Sequence, residues 1–155
     1  MSTQRRDFVK LTGVFGLLAA AGLLTPKEAW AQQQAWNKAA FDSKTMPEAI
    51  KALGGAAPAE SADITITAPD IAENGAVVPV AVASKIPNTQ AVYILVEKNP
   101  SSLAAGFTIP AGTDPNVSTR IKMGQTSNVY GVVKADNKFY VASKEVKVTL
   151  GGCGG

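Results

Sequence analysis

Histidine is absent from the 155-residue chain, and cysteine occurs once, as Cys153. Without histidine, Ser–His–Asp and Cys–His catalysis are excluded, as is haem attachment through a Cys-x-x-Cys-His motif. A zinc or copper site would lack its commonest ligand. One cysteine allows no internal disulfide, so the thiol either pairs with another molecule or stays reactive. No apolar run reaches the ~20 residues of a membrane-spanning helix. Whatever chemistry this chain takes part in, the catalysts are borrowed.

Residues 1–31 read as an export signal rather than as part of a domain. Arg5 and Arg6 stand together before Phe8 and Lys10, Leu11 to Leu24 is apolar, and Ala29-Trp30-Ala31 offers a small-x-small cleavage site. The paired arginines point to the twin-arginine route and hence to the periplasm. Removing Arg5, Arg6, Lys10 and Lys27 with Asp7 and Glu28 takes the 15 basic and 12 acidic groups to 11 and 10. A chain so nearly neutral gives no case for nucleic acid, and cleavage leaves no membrane anchor.

Residues 32–55 carry a helical pattern. Trp36, Ala39, Ala40 and Phe41 share one face, and Ala49, Ile50 and Leu53 share another after the break at Asp42-Ser43-Lys44-Thr45. Thr45 caps the second helix with Pro47 in its first turn and Glu48 completing a capping box; Gly54-Gly55 ends it. Residues 56–62 are a linker of small residues. From residue 63 to residue 150 the period changes to two. Strands are expected from Ile64 to Thr67, Val77 to Ala83, Ala91 to Lys98, Phe107 to Ile109, Val117 to Met123, Ser127 to Ala135 and Lys138 to Leu150. Asp136-Asn137 is a two-residue hairpin loop. Seven short strands in this length predict an all-β, immunoglobulin-like antiparallel sandwich. Pro79 removes a ladder donor, which suggests an edge or bulged strand.

Two strands are apolar on both sides. Val78, Val80 and Val82 oppose Val77 and Ala81, and Val92, Ile94 and Val96 oppose Tyr93 and Leu95. The second faces are covered either by the N-terminal helical segment or by another subunit.

The chain ends Gly151-Gly152-Cys153-Gly154-Gly155. Four glycines make neither a helix nor a core, so residues 151–155 are expected to form a flexible arm. The arm carries the thiol about 10 Å beyond Leu150, at ~3.3–3.6 Å per residue. A cysteine third from the end does not fit a prenylation box. With no fixed cation beside it, the thiol is expected near its ordinary pKa of ~8.5. It presents sulfur to enzymes that activate it.

The signal, short helix, small sandwich and terminal glycine–cysteine arm together resemble the SoxY family of the thiosulfate-oxidising Sox system. Arg120-Ile121-Lys122-Met123 and Lys144-Glu145-Val146-Lys147-Val148 add to the resemblance. It implies a non-catalytic carrier, heterodimeric with a SoxZ-like β-sandwich, whose Cys153 holds the sulfur intermediate. It also implies a c-type cytochrome complex that couples thiosulfate to Cys153, a sulfate-releasing hydrolase and a sulfane dehydrogenase as transient partners. No cofactor or metal is expected in this chain. Three other readings stay open: a carrier using a Gly155 thiocarboxylate, a tail that pairs two subunits by disulfide, and a structural β-sandwich with an idle arm.

Overall fold

The computed structural model describes residues 37–149. The signal (1–31), Trp36, Leu150 and the arm (151–155) lie outside these described residues. Among these described residues two short helices come first, α1 (Lys38–Phe41) and α2 (Met46–Ala52). Nine strands follow: β1 (Ala59–Glu60), β2 (Ile64–Thr67), β3 (Ile71–Ala72), β4 (Val78–Ser84), β5 (Thr89–Val96), β6 (Leu103–Thr108), β7 (Asn116–Ile121), β8 (Ser127–Ala135) and β9 (Lys138–Val148).

The helix boundaries have local causes. Asn37 caps α1 by accepting from the Ala40 N–H, and Thr45 caps α2 by accepting from the Glu48 N–H at 3.4 Å. The Glu48 carboxylate returns to the N–H of Lys44, at 3.1 Å, one residue before the cap that the capping box leads one to expect. Leu53 closes α2, and Gly54 beyond it turns left-handed at φ +81°. The Gly55 and Gly54 N–H groups then bind the carbonyls of Ile50 and Lys51. This is the glycine-dependent helix stop anticipated from Gly54-Gly55.

The strands form two facing sheets of an immunoglobulin-like sandwich. The larger runs β1-β9-β8-β5-β6, with β3 also on β9; the smaller runs β2-β4-β7. Antiparallel pairing dominates, while the two-residue strands β1 and β3 run parallel to β9. At the β8–β9 hairpin, Asp136 and Asn137 both take positive φ, 46° and 60°, as a two-residue turn requires.

Alternation along each strand fills the space between the sheets. Val78, Val80 and Val82 from β4 meet Val92, Ile94, Val96, Val129, Val133 and Val146 from the larger sheet. A second core lies on the other face of the larger sheet. There Leu95, Leu103, Val132, Phe139 and Val141 pack against Ala40, Ala49 and Ile50 of the helices. Tyr93 and Phe139 stack in that layer, ring centroids 6.5 Å apart. For β5, then, the helical segment is the cover. For β4 it is not: Val77, just before the strand, is 50% exposed.

Several expectations need correcting. β6 begins at Leu103, four residues before the expected Phe107, because buried Leu103 anchors a stretch whose Ala and Gly carry little strand signal. β1 lies within the stretch read as a linker, and β3 follows β2 where no strand was expected. Pro79 sits in a central strand rather than an edge strand. It is tolerated because the β2 ladder stops at Ala81, leaving β7 as the neighbour opposite Pro79. In α1, Ala40 is buried while Ala39, expected on the same face, is exposed.

Candidate functional site

The arm follows β9, so the end of that strand sets where its base stands. β8 pairs with β9 only as far as Val146. Beyond that point β3 takes over on the opposite side, aligning Ile71 with Lys147 and Ala72 with Val148. The Lys147 N–H donates to the Asp70 carbonyl at 3.0 Å, and the Thr149 N–H to the Ala72 carbonyl at 3.1 Å. From the β8 side, the Val148 N–H donates to Thr126 Oγ1 at 3.0 Å. A terminal strand left alone would fray. This one is held on both sides up to its last described residue.

The neighbouring loops are equally tied. The Met123 N–H donates to the Gly75 carbonyl at 2.7 Å. The Asn99 side chain donates to the Lys122 carbonyl at 2.7 Å and accepts from the Gly124 N–H at 3.3 Å. Lys144 Nζ reaches the Ala68 carbonyl at 2.6 Å and the Asp70 carboxylate at 3.0 Å, fixing the approach to β3. Between the loops, Gly75, Lys122, Met123 and Val148 line a small cavity of about 130 Å³. Both segments singled out in the sequence, Arg120 to Met123 and Lys144 to Val148, thus meet at the base of the arm. Asn99 and β3 were missed as parts of it. Asn99-Pro100 reads as a turn, and two residues are too few for strand periodicity.

Cys153, Gly151, Gly152, Gly154 and Gly155, with Arg5 and Arg6, lie outside the described residues. Among the described residues no three Asp, Glu, Cys or His side chains gather into a set that could hold a metal ion. Two larger cavities lie elsewhere. One, of about 590 Å³, opens beside Asn88, Gly112 and Asp136, at the hairpin where β9 begins, a strand length from the arm's base. The other, of about 550 Å³, lies against β1 between Met46, Glu60 and Tyr130. Burial raises the Tyr93 phenol above its ordinary value. Burial first, and then the Glu97 carboxylate, do the same for Tyr130.

The family model described as sulfur oxidation protein SoxY matches residues 50–153. The chain belongs to the SoxY family. The match takes in β1 to β9 and ends on the one cysteine. Among solved structures, the sulfur carrier protein SoxY from Chlorobium limicola f thiosulfatophilum is 45% identical. The likeness covers 66% of this chain and 94% of that one, with a TM-score of 0.61. A chain from a structure on T cell specificity and activation by the superantigen toxic shock syndrome toxin-1 matches at 10% identity and a TM-score of 0.40. That match covers 56% of this chain and 99% of the other. No curated protein matches. Membership of the SoxY family makes this a protein of sulfur oxidation, one that works with other components of a Sox system.

Proposed function

We propose that the chain is a periplasmic sulfur carrier, exported by the twin-arginine route, that holds its cargo covalently on Sγ of Cys153. The observation that carries this reading is that the SoxY match runs through residue 153, so the sole thiol lies within the region shared with the family. The 45% identical relative is itself described as a sulfur carrier protein. The clamped end of β9 supports the reading further, since a carrier arm needs a firm base.

The loading step is oxidative. A c-type cytochrome complex joins the sulfane sulfur of thiosulfate to Sγ, giving Cys–S–S–SO₃⁻, one proton and two electrons, which pass to the haems. A hydrolase then adds water across the terminal S–S bond. Sulfate and two protons leave, and a persulfide stays on Cys153 as Cys–S–S⁻ for a sulfane dehydrogenase to oxidise. This chain supplies the attachment atom, and the glycines Gly151, Gly152, Gly154 and Gly155 leave the thiol bare enough to enter narrow clefts. It carries no haem or metal and catalyses no step. A SoxZ-like subunit completes a stable heterodimer.

Intact-mass measurement of the exported protein, purified without reductant and then exposed to thiosulfate and the loading complex, tests this. Additions matching thiosulfate or extra sulfur are expected on the wild type and absent from Cys153→Ser, with the unfolding midpoint unchanged. Free thiol alone in the wild type would sink the proposal.

A further inference from the structure

β8 begins at Ser127, whose partner on β9 is Val146, so the ladder on that side runs out before β9 does. Alternate residues of a strand turn their N–H and C=O to opposite neighbours, and Val148 is the next to turn toward β8. There Thr126 supplies what the backbone of β8 no longer does. Its Oγ1 accepts from the Val148 N–H at 3.0 Å and donates, at 3.5 Å, to the Val148 carbonyl. A threonine hydroxyl is both acceptor and donor, and branching at Cβ keeps it from swinging away. The loop that carries Thr126 is itself fixed. Asn99 binds it at Lys122 and Gly124 through both ends of its amide. Met123, 2% exposed, is tied to the Gly75 carbonyl. On the other flank the buried Ser127 hydroxyl accepts from the Lys98 N–H at 3.0 Å. A side chain with pinned backbone on both sides is a placed group rather than a chance contact.

We infer that Thr126 is a positioning residue for the carrier: its hydroxyl fixes where β9 ends and the tether to Cys153 begins. The inference rests on the carrier reading above and adds a residue to it. β3 holds Lys147 and Thr149 on one side of the strand, and Thr126 holds Val148 on the other. Without the hydroxyl, the end of β9 hangs from β3 alone, a strand of two residues, and opens more often from Val146 onward. A thiol delivered from Thr149 is four residues from its anchor; delivered from Val146 it is seven. The local concentration that a tethered group reaches falls roughly as the −3/2 power of tether length, so this lengthening lowers it about two- to threefold.

The test uses the full mature chain with its partner subunit. It compares Thr126→Val, which keeps the shape and removes the hydroxyl, with Thr126→Ser, which keeps the hydroxyl. Hydrogen exchange of the Val148 and Thr149 amides, read by NMR, is expected to quicken about fivefold in Thr126→Val, the worth of one hydrogen bond. In Thr126→Ser it is expected to stay near wild type. Exchange at Val129 and Val133 within β8, and the rate at which iodoacetamide alkylates Cys153, are expected to match in all three proteins. With thiosulfate and the loading complex, kcat/KM for conjugation is expected to fall about two- to threefold in Thr126→Val and to recover in Thr126→Ser. Unchanged exchange at Val148 and Thr149 in Thr126→Val would overturn the assignment and leave the carrier reading standing. So would faster exchange with conjugation unaffected, since the end of the strand would then have no bearing on delivery. An equal rise throughout β8 would overturn it too, by giving the hydroxyl to the sheet as a whole. A wild-type chain that takes up no thiosulfate would remove the carrier reading and this inference together.

Discussion

A methyl group at Gly75 would stand 2.4 Å from the carbonyl oxygen of Met123 and 2.9 Å from a methyl of Val148. Backbone cannot swing aside as a side chain does, so Gly75→Ala should cost about 1–3 kcal/mol, the usual range for forced overpacking. Gly124 lies in the same cluster of loops, but its added methyl would meet nothing within 4 Å. Gly124→Ala should stay within about 0.5 kcal/mol of the wild type. Urea unfolding of both variants checks the contrast, and equal losses would show that the close approach at Gly75 is not what matters. A second residue-scale effect concerns pH. Burial holds the Tyr93 phenol above its ordinary 10.0, and Tyr130, more open, shifts the same way. A raised folded-state pKa gives stability that is complete below pH 10 and lost as pH rises through the raised value. Denaturation midpoints should therefore fall above pH 10, and Tyr93→Phe should make that fall shallower. Identical profiles for the two proteins would contradict the argument.

Among the elements, the helical segment is short and its intrinsic stability is slight; α1 has four residues and α2 seven. Its hold on the domain comes from packing. Ile50, 1% exposed, enters the layer formed by Leu95, Val132 and Phe139. Ile50→Ala should cost about 2–5 kcal/mol and expose apolar surface on the larger sheet, raising dye binding at mild denaturant. A loss under 1 kcal/mol would mean that the helices merely rest there. The periodicity from Ile64 onward made the main strands legible, and the bounds of β8 were read to the residue. Thr45 and Gly54-Gly55 announced where α2 begins and ends. What the pattern hid had physical causes. β1 and β3 are too short to show any period, and they form because β9 offers them an edge. β4 and β5 look alike in sequence, each apolar on both sides, yet among the described residues the helices cover β5 and not β4. That difference is a matter of tertiary contact, which no local pattern encodes. The cysteine and its glycines were conspicuous from the sequence alone, whereas the structure added how the end of β9 that precedes them is held.

At the scale of the domain, the described residues form three layers: the small sheet, the large sheet and the helices. The middle layer is apolar on both sides, and the family match takes in all its strands. Among the described residues no charged side chain is buried, and the buried polar ones are Ser43, Ser84, Ser102 and Ser127. The larger sheet's edge at β9 is blunted by β1 at one end and β3 at the other, which protects it from pairing with stray chains.

That same arrangement on β9 has a mechanical side. In the carrier proposed above, a partner enzyme that holds residues 151–155 and then separates pulls on β9 from its carboxy-terminal end. The hydrogen bonds to β8, β1 and β3 lie across that direction, so a tug loads many of them at once rather than peeling them one by one. The strand that leads into residues 151–155 is thereby hard to draw out of the sheet. Stretched from its carboxy terminus, the domain should resist more force than when unzipped through a handle at the Asp136-Asn137 turn.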